Sequence, residues 1–122
     1  MEKYEINDEN CLFCKIINKT EPGNIVFENE GFVVIDNKYP KAPVHLLVLD
    51  RYHHDKKDTI SGKFSEKNYF ESLFGTIYQV MVKYGLDKTG YKIVNNGAGY
   101  HHFSHEHFHI LGGSKEEPGG ST

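Results

Sequence analysis

A chain of 122 residues with a formal net charge of -3 and 25% charged side chains has the size of one domain able to bury one core. Neither sign of charge dominates, so no broad attraction draws it to a nucleic acid polymer or an anionic membrane. No apolar run approaches the roughly twenty residues that span a bilayer, and the start Met1-Glu2-Lys3-Tyr4-Glu5 is no signal peptide, so the cytoplasm is the expected compartment.

Residues 1–10 are polar and read as a flexible tail. The two cysteines, Cys11 and Cys14, rule out a long-range disulfide framework within the chain. Their spacing points to metal or redox chemistry, but half a tetrahedral site weighs no more than two small, partly buried side chains. Leu12, Phe13, Ile16 and Ile17 have helical spacing, so Cys11 to Lys19 reads as a short helix, ended by the turn Glu21-Pro22-Gly23-Asn24.

Ile25 to Glu28 and Phe32 to Asp36 are β-branched and aromatic runs joined by Asn29-Glu30-Gly31, the pattern of a β-hairpin. Two prolines make Tyr39 to Pro43 an extended loop. It leads into Val44-His45-Leu46-Leu47-Val48-Leu49, a largely apolar strand expected at the centre of a sheet. Asp50 to Lys63 is a polar connection with room for a short helical turn. Ser65 is placed to cap a long helix from about Glu66 to Tyr84. Tyr69, Phe70, Leu73, Phe74, Ile77, Val80, Met81 and Tyr84 recur along it at three- and four-residue intervals, as a face packed on the sheet. Gly85 closes it. Tyr91 to Asn95 is the next strand, and Asn96-Gly97-Ala98-Gly99 a flexible turn. That turn is too short for a P-loop and lacks its Gly-Lys-Ser/Thr ending.

The chemistry concentrates in His101-His102-Phe103-Ser104-His105-Glu106-His107-Phe108-His109. All eight histidines fall here or between His45 and His54, which suggests one shared site. In a β-strand, His105, His107 and His109 form a row on one face while Glu106, Phe108 and Ile110 point the other way. Each imidazole in such a row can serve as nucleophile, proton donor or metal ligand near neutral pH. The same residues satisfy H-E-x-x-H, but that zinc-protease motif needs a helix. Close glycine flanks and interleaved aromatic and branched residues argue against one. After Gly113 the polar residues 114–122 read as a second flexible tail.

His105-Glu106-His107-Phe108-His109-Ile110-Leu111-Gly112-Gly113 resembles the signature of the histidine triad (HIT) nucleotide hydrolases, and its Leu-Gly-Gly ending resembles their phosphoramidase branch. Cys11 to Ile17, Pro40 to Val48 and Tyr91 to Gly97 are similar to three further family segments in the same order. The resemblance implies a single α+β domain over residues 1–122. It would have an antiparallel sheet of about five strands, a long helix packed on it and a short N-terminal helix. A homodimer is the usual assembly.

The resemblance also implies roles. His107 would attack the α-phosphorus of a purine nucleotide conjugate and form a nucleotidyl-histidine intermediate. His109 would bind phosphate, the backbone at His105 would fix the tautomer of His107, and His45 would support the triad. Asp36, or Asn37 because one extra residue precedes Pro40, would meet the ribose. Asn95, or Asn96 if the register shifts, would bond near the phosphate. Cys11, Cys14, His53 and His105 would hold a structural Zn2+, with His54 a substitute for His53, and no organic cofactor is implied. His101 and His102 stand where the family commonly has Gln followed by Ser or Thr, at positions that usually touch phosphate and leaving group. Glu106 stands where an apolar residue is usual, so that face is less buried or Glu106 meets a cation. A weakly active nucleotide-binding interaction protein and a zinc-dependent hydrolase remain as alternatives.

Overall fold

Leu46 and Val48 are buried on one face of their strand, Leu47 and Leu49 on the other, so this segment has both faces covered and must lie inside the sheet. The computed structural model describes residues 11–52, 56–64, 67–100 and 105–118. Its five strands are β1 (Ile25–Glu28), β2 (Phe32–Asp36), β3 (Val44–Asp50), β4 (Tyr91–Val94) and β5 (His107–Gly112). They form one antiparallel sheet in the order β1-β2-β3-β5-β4. The α+β class and the central position of β3 follow the sequence pattern.

One face carries Phe32, Val34, Leu46, Val48, Phe108 and Ile110 against the long helix α3 (Tyr69–Lys83), which contributes Leu73, Ile77, Val80 and Met81. Burying a side chain of this size stabilises the fold by about 1.5–3 kcal/mol. The opposite face carries Val33, Ile35, Leu47 and Leu49 against the short helix α1 (Leu12–Ile17) through Phe13, Ile16 and Ile17. Cys11 caps α1, its sulfur accepting the Cys14 backbone N–H at 3.2 Å. The cap thereby brings both sulfurs to the same end of the helix.

The connections depart from the sequence reading in several places. Helix α3 is described from Tyr69, because Asn68 is left-handed at φ 57°; the expected Ser65 cap and Glu66 lie outside the described residues. Gly85, at φ 73°, ends the helix as anticipated, since few other residues tolerate that region. A short α4 (Leu86–Thr89) then follows, and α2 (Lys56–Ile60) occupies part of the polar connection. Phe74 does not pack on the sheet. It is 54% exposed and shares the outer face of α3 with Tyr78 and Val82. The second tail is held in part: Lys92 Nζ lies 2.9 Å from Glu117 and donates to the Pro118 carbonyl at 3.0 Å. Among the described residues no helix is long and apolar enough to cross a membrane.

Gly112 ends β5 where α4 and the start of β4 press on it. A Cβ there would lie 2.7 Å from the Gly90 carbonyl oxygen and 2.8 Å from Leu86, whereas a Cβ on Gly31 would meet nothing within 4 Å. Gly112→Ala should therefore lower the unfolding free energy in urea by about 1–3 kcal/mol. Gly31→Ala should leave it unchanged or raise it slightly. Equal stability of the two variants would contradict this packing.

Candidate active site and metal cluster

Strand alternation turns His107 and His109 toward the α1 face of the sheet, where they line a groove of about 1360 Å³. His45 on β3 and the end of β2 complete its floor. His107 Nδ1 lies 2.8 Å from the His105 carbonyl oxygen. A carbonyl can only accept, so in the neutral ring the proton sits on Nδ1 and the lone pair on Nε2. The ring is held edge-on by Phe13 at 5.1 Å and by His109 at 5.4 Å between centroids.

The neighbouring pair has the opposite polarity. The Lys41 backbone N–H donates to His45 Nδ1 at 3.0 Å, so neutral His45 carries its proton on Nε2 and gives it to His109 Nδ1 at 2.9 Å. His109 in turn carries its proton on Nε2. The site thus places an imidazole with its lone pair on Nε2 beside one with its proton on Nε2. Burial, and then the Lys41 charge, hold His45 below the ordinary histidine range, in keeping with an N–H pointing at its Nδ1.

At the mouth of the groove Asp36 accepts a hydrogen bond from Asn24, while Asn37 brings its amide to 3.1 Å from His45 Nε2. Both line the groove; with His45 Nε2 protonated, the Asn37 amide, which is also a donor, makes no hydrogen bond to it, and Asn37 is a neighbour of the imidazole pair only. Asn95 is not a groove residue. Its amide donates to Glu106 Oε1 at 2.8 Å and to the His107 carbonyl at 3.1 Å, on the α3 face, and the adjacent Asn96 lines the groove instead. The strand expected over Tyr91 to Asn95 ends at Val94, and the two asparagines that follow turn to opposite sides of the sheet. His101 and His102 lie outside the described residues.

Deeper in the same face, His105 Nδ1 lies 3.3 Å from both Cys11 Sγ and Cys14 Sγ, and all three residues are buried. His105 Nε2 donates to the Asp50 carbonyl at 2.6 Å, which leaves a lone pair on Nδ1 directed at the sulfurs. Tetrahedral zinc with ordinary Zn–S and Zn–N bonds would set sulfur and nitrogen about 3.6 Å apart. The three ligand atoms therefore fit such an ion with small adjustment. The hydrogen bonds to His105 and to Cys11 Sγ supply the outer support that metal ligands commonly have. His53 and its substitute His54 lie outside the described residues. The helix demanded by H-E-x-x-H is absent from His107 onward, which is strand.

Glu106 meets a cation: Lys56 Nζ is 2.6 Å from its carboxylate, with side-chain exposures of 6% and 0%. Burial acts to raise the Glu106 pKa, and the Lys56 hydrogen bond and charge together with bonds from Thr59 and Asn95 outweigh it, so the group sits below its ordinary value. Sequence reasoning left open a less buried face or a cation partner; the second holds, and nothing in the chain distinguished Lys56 from the other lysines of its connection.

The family described as "Scavenger mRNA decapping enzyme C-term binding" matches residues 10–122. An uncharacterized HIT-like protein of Chlamydia muridarum is 41% identical over 106 residues, covering 84% of this chain and 80% of its own. A 14 kDa zinc-binding protein of Zea mays is 32% identical over 113 residues, covering 88% and 85%. Among solved structures, a HIT family hydrolase from Legionella pneumophila superposes with a TM-score of 0.77 at 31% identity, covering 86% of this chain and 94% of that one. The chain belongs to the histidine triad family.

Because folded His45 resists protonation, the unfolded chain binds the extra proton first as pH drops. The contribution of His45 to stability is therefore complete above about pH 6.5 and declines below it. The urea midpoint should fall between pH 7.5 and pH 5.5, and His45→Asn should remove part of that slope. Identical slopes in the two proteins would contradict the assignment.

Proposed function

We propose that the chain is a nucleotide hydrolase that cleaves nucleoside 5′-phosphoramidates or related nucleotidyl anhydrides through His107. The observation that carries this reading is the 2.8 Å bond from His107 Nδ1 to the His105 carbonyl, which leaves Nε2 unprotonated in a groove of nucleotide size. Attack by Nε2 on the α-phosphorus forms a P–N bond to the imidazole, and the leaving amine or phosphate departs with its electron pair. Water then displaces His107 and releases the nucleoside monophosphate, so one difficult substitution becomes two easier ones. His109 Nε2–H would donate to a phosphate oxygen as charge builds there. Asn37 or Asp36 would meet the ribose, and Asn96 rather than Asn95 would approach the phosphate. A purine base is the preference that the family resemblance implies.

Hydrolysis of adenosine 5′-phosphoramidate after thorough chelation tests the reading. The wild type should release AMP, and His107→Ala should lower the rate by at least roughly 10³-fold. AMP binding without release by the wild type would favour a nucleotide-binding protein, and restoration of turnover only by added zinc would favour metal-dependent hydrolysis.

Cys11, Cys14 and His105 would hold a structural zinc, with His53 or His54 as the fourth ligand; the zinc-binding relative from Zea mays supports this. Bound there, the ion would cross-link α1 to the start of the triad strand. Reduced cysteines shaped as ligands suit a cytoplasmic protein. A second copy of the chain would cover Phe74, Tyr78 and Val82 on α3 together with Tyr91 on the edge strand β4. These side chains are 54%, 58%, 46% and 54% exposed, and an open strand edge beside apolar surface is commonly paired. Native mass spectrometry should show two chains with about one zinc each, and Cys11→Ser with Cys14→Ser should lose the metal. A metal-free wild type from zinc-supplemented expression would refute the zinc site, and a single-chain mass at micromolar concentration would refute the dimer.

A further inference from the structure

The nucleophile sits where its sheet is interrupted. In an antiparallel strand the N–H and C=O of one residue point to the same neighbour, and successive residues alternate sides. The Glu106 carbonyl accepts from Asp50 N on the β3 side, so the N–H and C=O of His107 face β4. The β4 ladder ends two residue pairs short of His107, at Val94 opposite His109. Three side chains take the place of the missing strand. Glu106 Oε1 accepts the His107 N–H at 2.9 Å, and the His107 carbonyl accepts from Asn95 Nδ2 at 3.1 Å and Lys56 Nζ at 3.3 Å. The 2.6 Å Lys56–Glu106 pair and the 2.8 Å Asn95–Glu106 bond lock these three to one another.

We infer that Lys56, Glu106 and Asn95 form a positioning clamp for His107, gripping its backbone from the α3 face while its imidazole works on the other. The inference rests on His107 being the nucleophile, and none of the three touches the reacting atoms. Stability alone is a poor reason for such a cluster, since a buried ion pair can often be replaced by apolar residues of similar size without loss. A displacement of about 1 Å at a reacting atom can cost about 10²-fold in rate. A clamp on the backbone of His107 guards against that displacement.

Two double variants separate position from stability. Lys56→Met with Glu106→Leu removes the acceptor for the His107 N–H and one of the two donors to its carbonyl without stranding a buried charge, and Lys56→Met with Glu106→Gln retains a carbonyl oxygen for the His107 N–H. In the Leu variant, hydrogen exchange at the His107 amide should quicken by about tenfold while Ile110 stays protected. On adenosine 5′-phosphoramidate its kcat should fall roughly 10- to 100-fold with KM unchanged. The Gln variant should recover most of both. Unchanged exchange and unchanged kcat in a folded Leu variant would overturn the clamp. Should that variant not unfold cooperatively, Asn95→Ala decides: a fall in kcat of about fivefold at constant KM supports the clamp, and full activity rejects it. If the wild type hydrolyses no nucleotide, amide exchange in the same variants still tests the clamp, separately from the proposed activity.

Discussion

The hydrogen bond from His107 Nδ1 to the carbonyl oxygen of His105 fixes which nitrogen of His107 is basic, and both halves of the site depend on it. The bond holds its geometry only as well as the carbonyl of His105 is held. His105 is anchored through its ring, by Nε2 to the Asp50 carbonyl and by Nδ1 to the two cysteine sulfurs. The Cys11, Cys14 and His105 cluster therefore bears on the chemistry through the rigidity of one peptide carbonyl. This connection explains how a Cys and His cluster and a basic imidazole can lie two residues apart on one face without competing for the same lone pairs.

The sheet supplies the second requirement, proton placement. His45 and His109 lie on neighbouring strands, on rungs two apart and therefore on one face, where diagonal neighbours come within reach of each other. A backbone N–H at Lys41 orients the whole pair, because it makes Nδ1 of His45 an acceptor and thereby passes the proton outward to His109. Burial keeps His45 neutral, so the polarity survives at neutral pH.

Much of this was legible in the residues. Strands with β-branched runs and a triad with a two-residue period declare themselves, because hydrophobic alternation and side-chain chemistry are local. Long-range and parity-dependent features do not. Asn95 and Asn96 are adjacent and chemically identical, and only the end of β4 decides which one faces the groove. Asp36 and Asn37 pose the same question at the end of β2. Phe74 fits a helical apolar period as well as its buried neighbours, yet eight such residues make a stripe wider than the sheet can cover. Glu106 announced itself as a carboxylate at an apolar position, but its partner Lys56 is fifty residues away.

The tautomer of His107 is the central claim, and nitrogen-15 NMR of its imidazole at pH 7.5 measures it directly. The account predicts a protonated Nδ1 and an unprotonated Nε2 in the resting protein, with His109 showing the reverse lone-pair placement. A protonated Nε2 on His107 would leave no nucleophile facing the groove and would contradict the reading of this site.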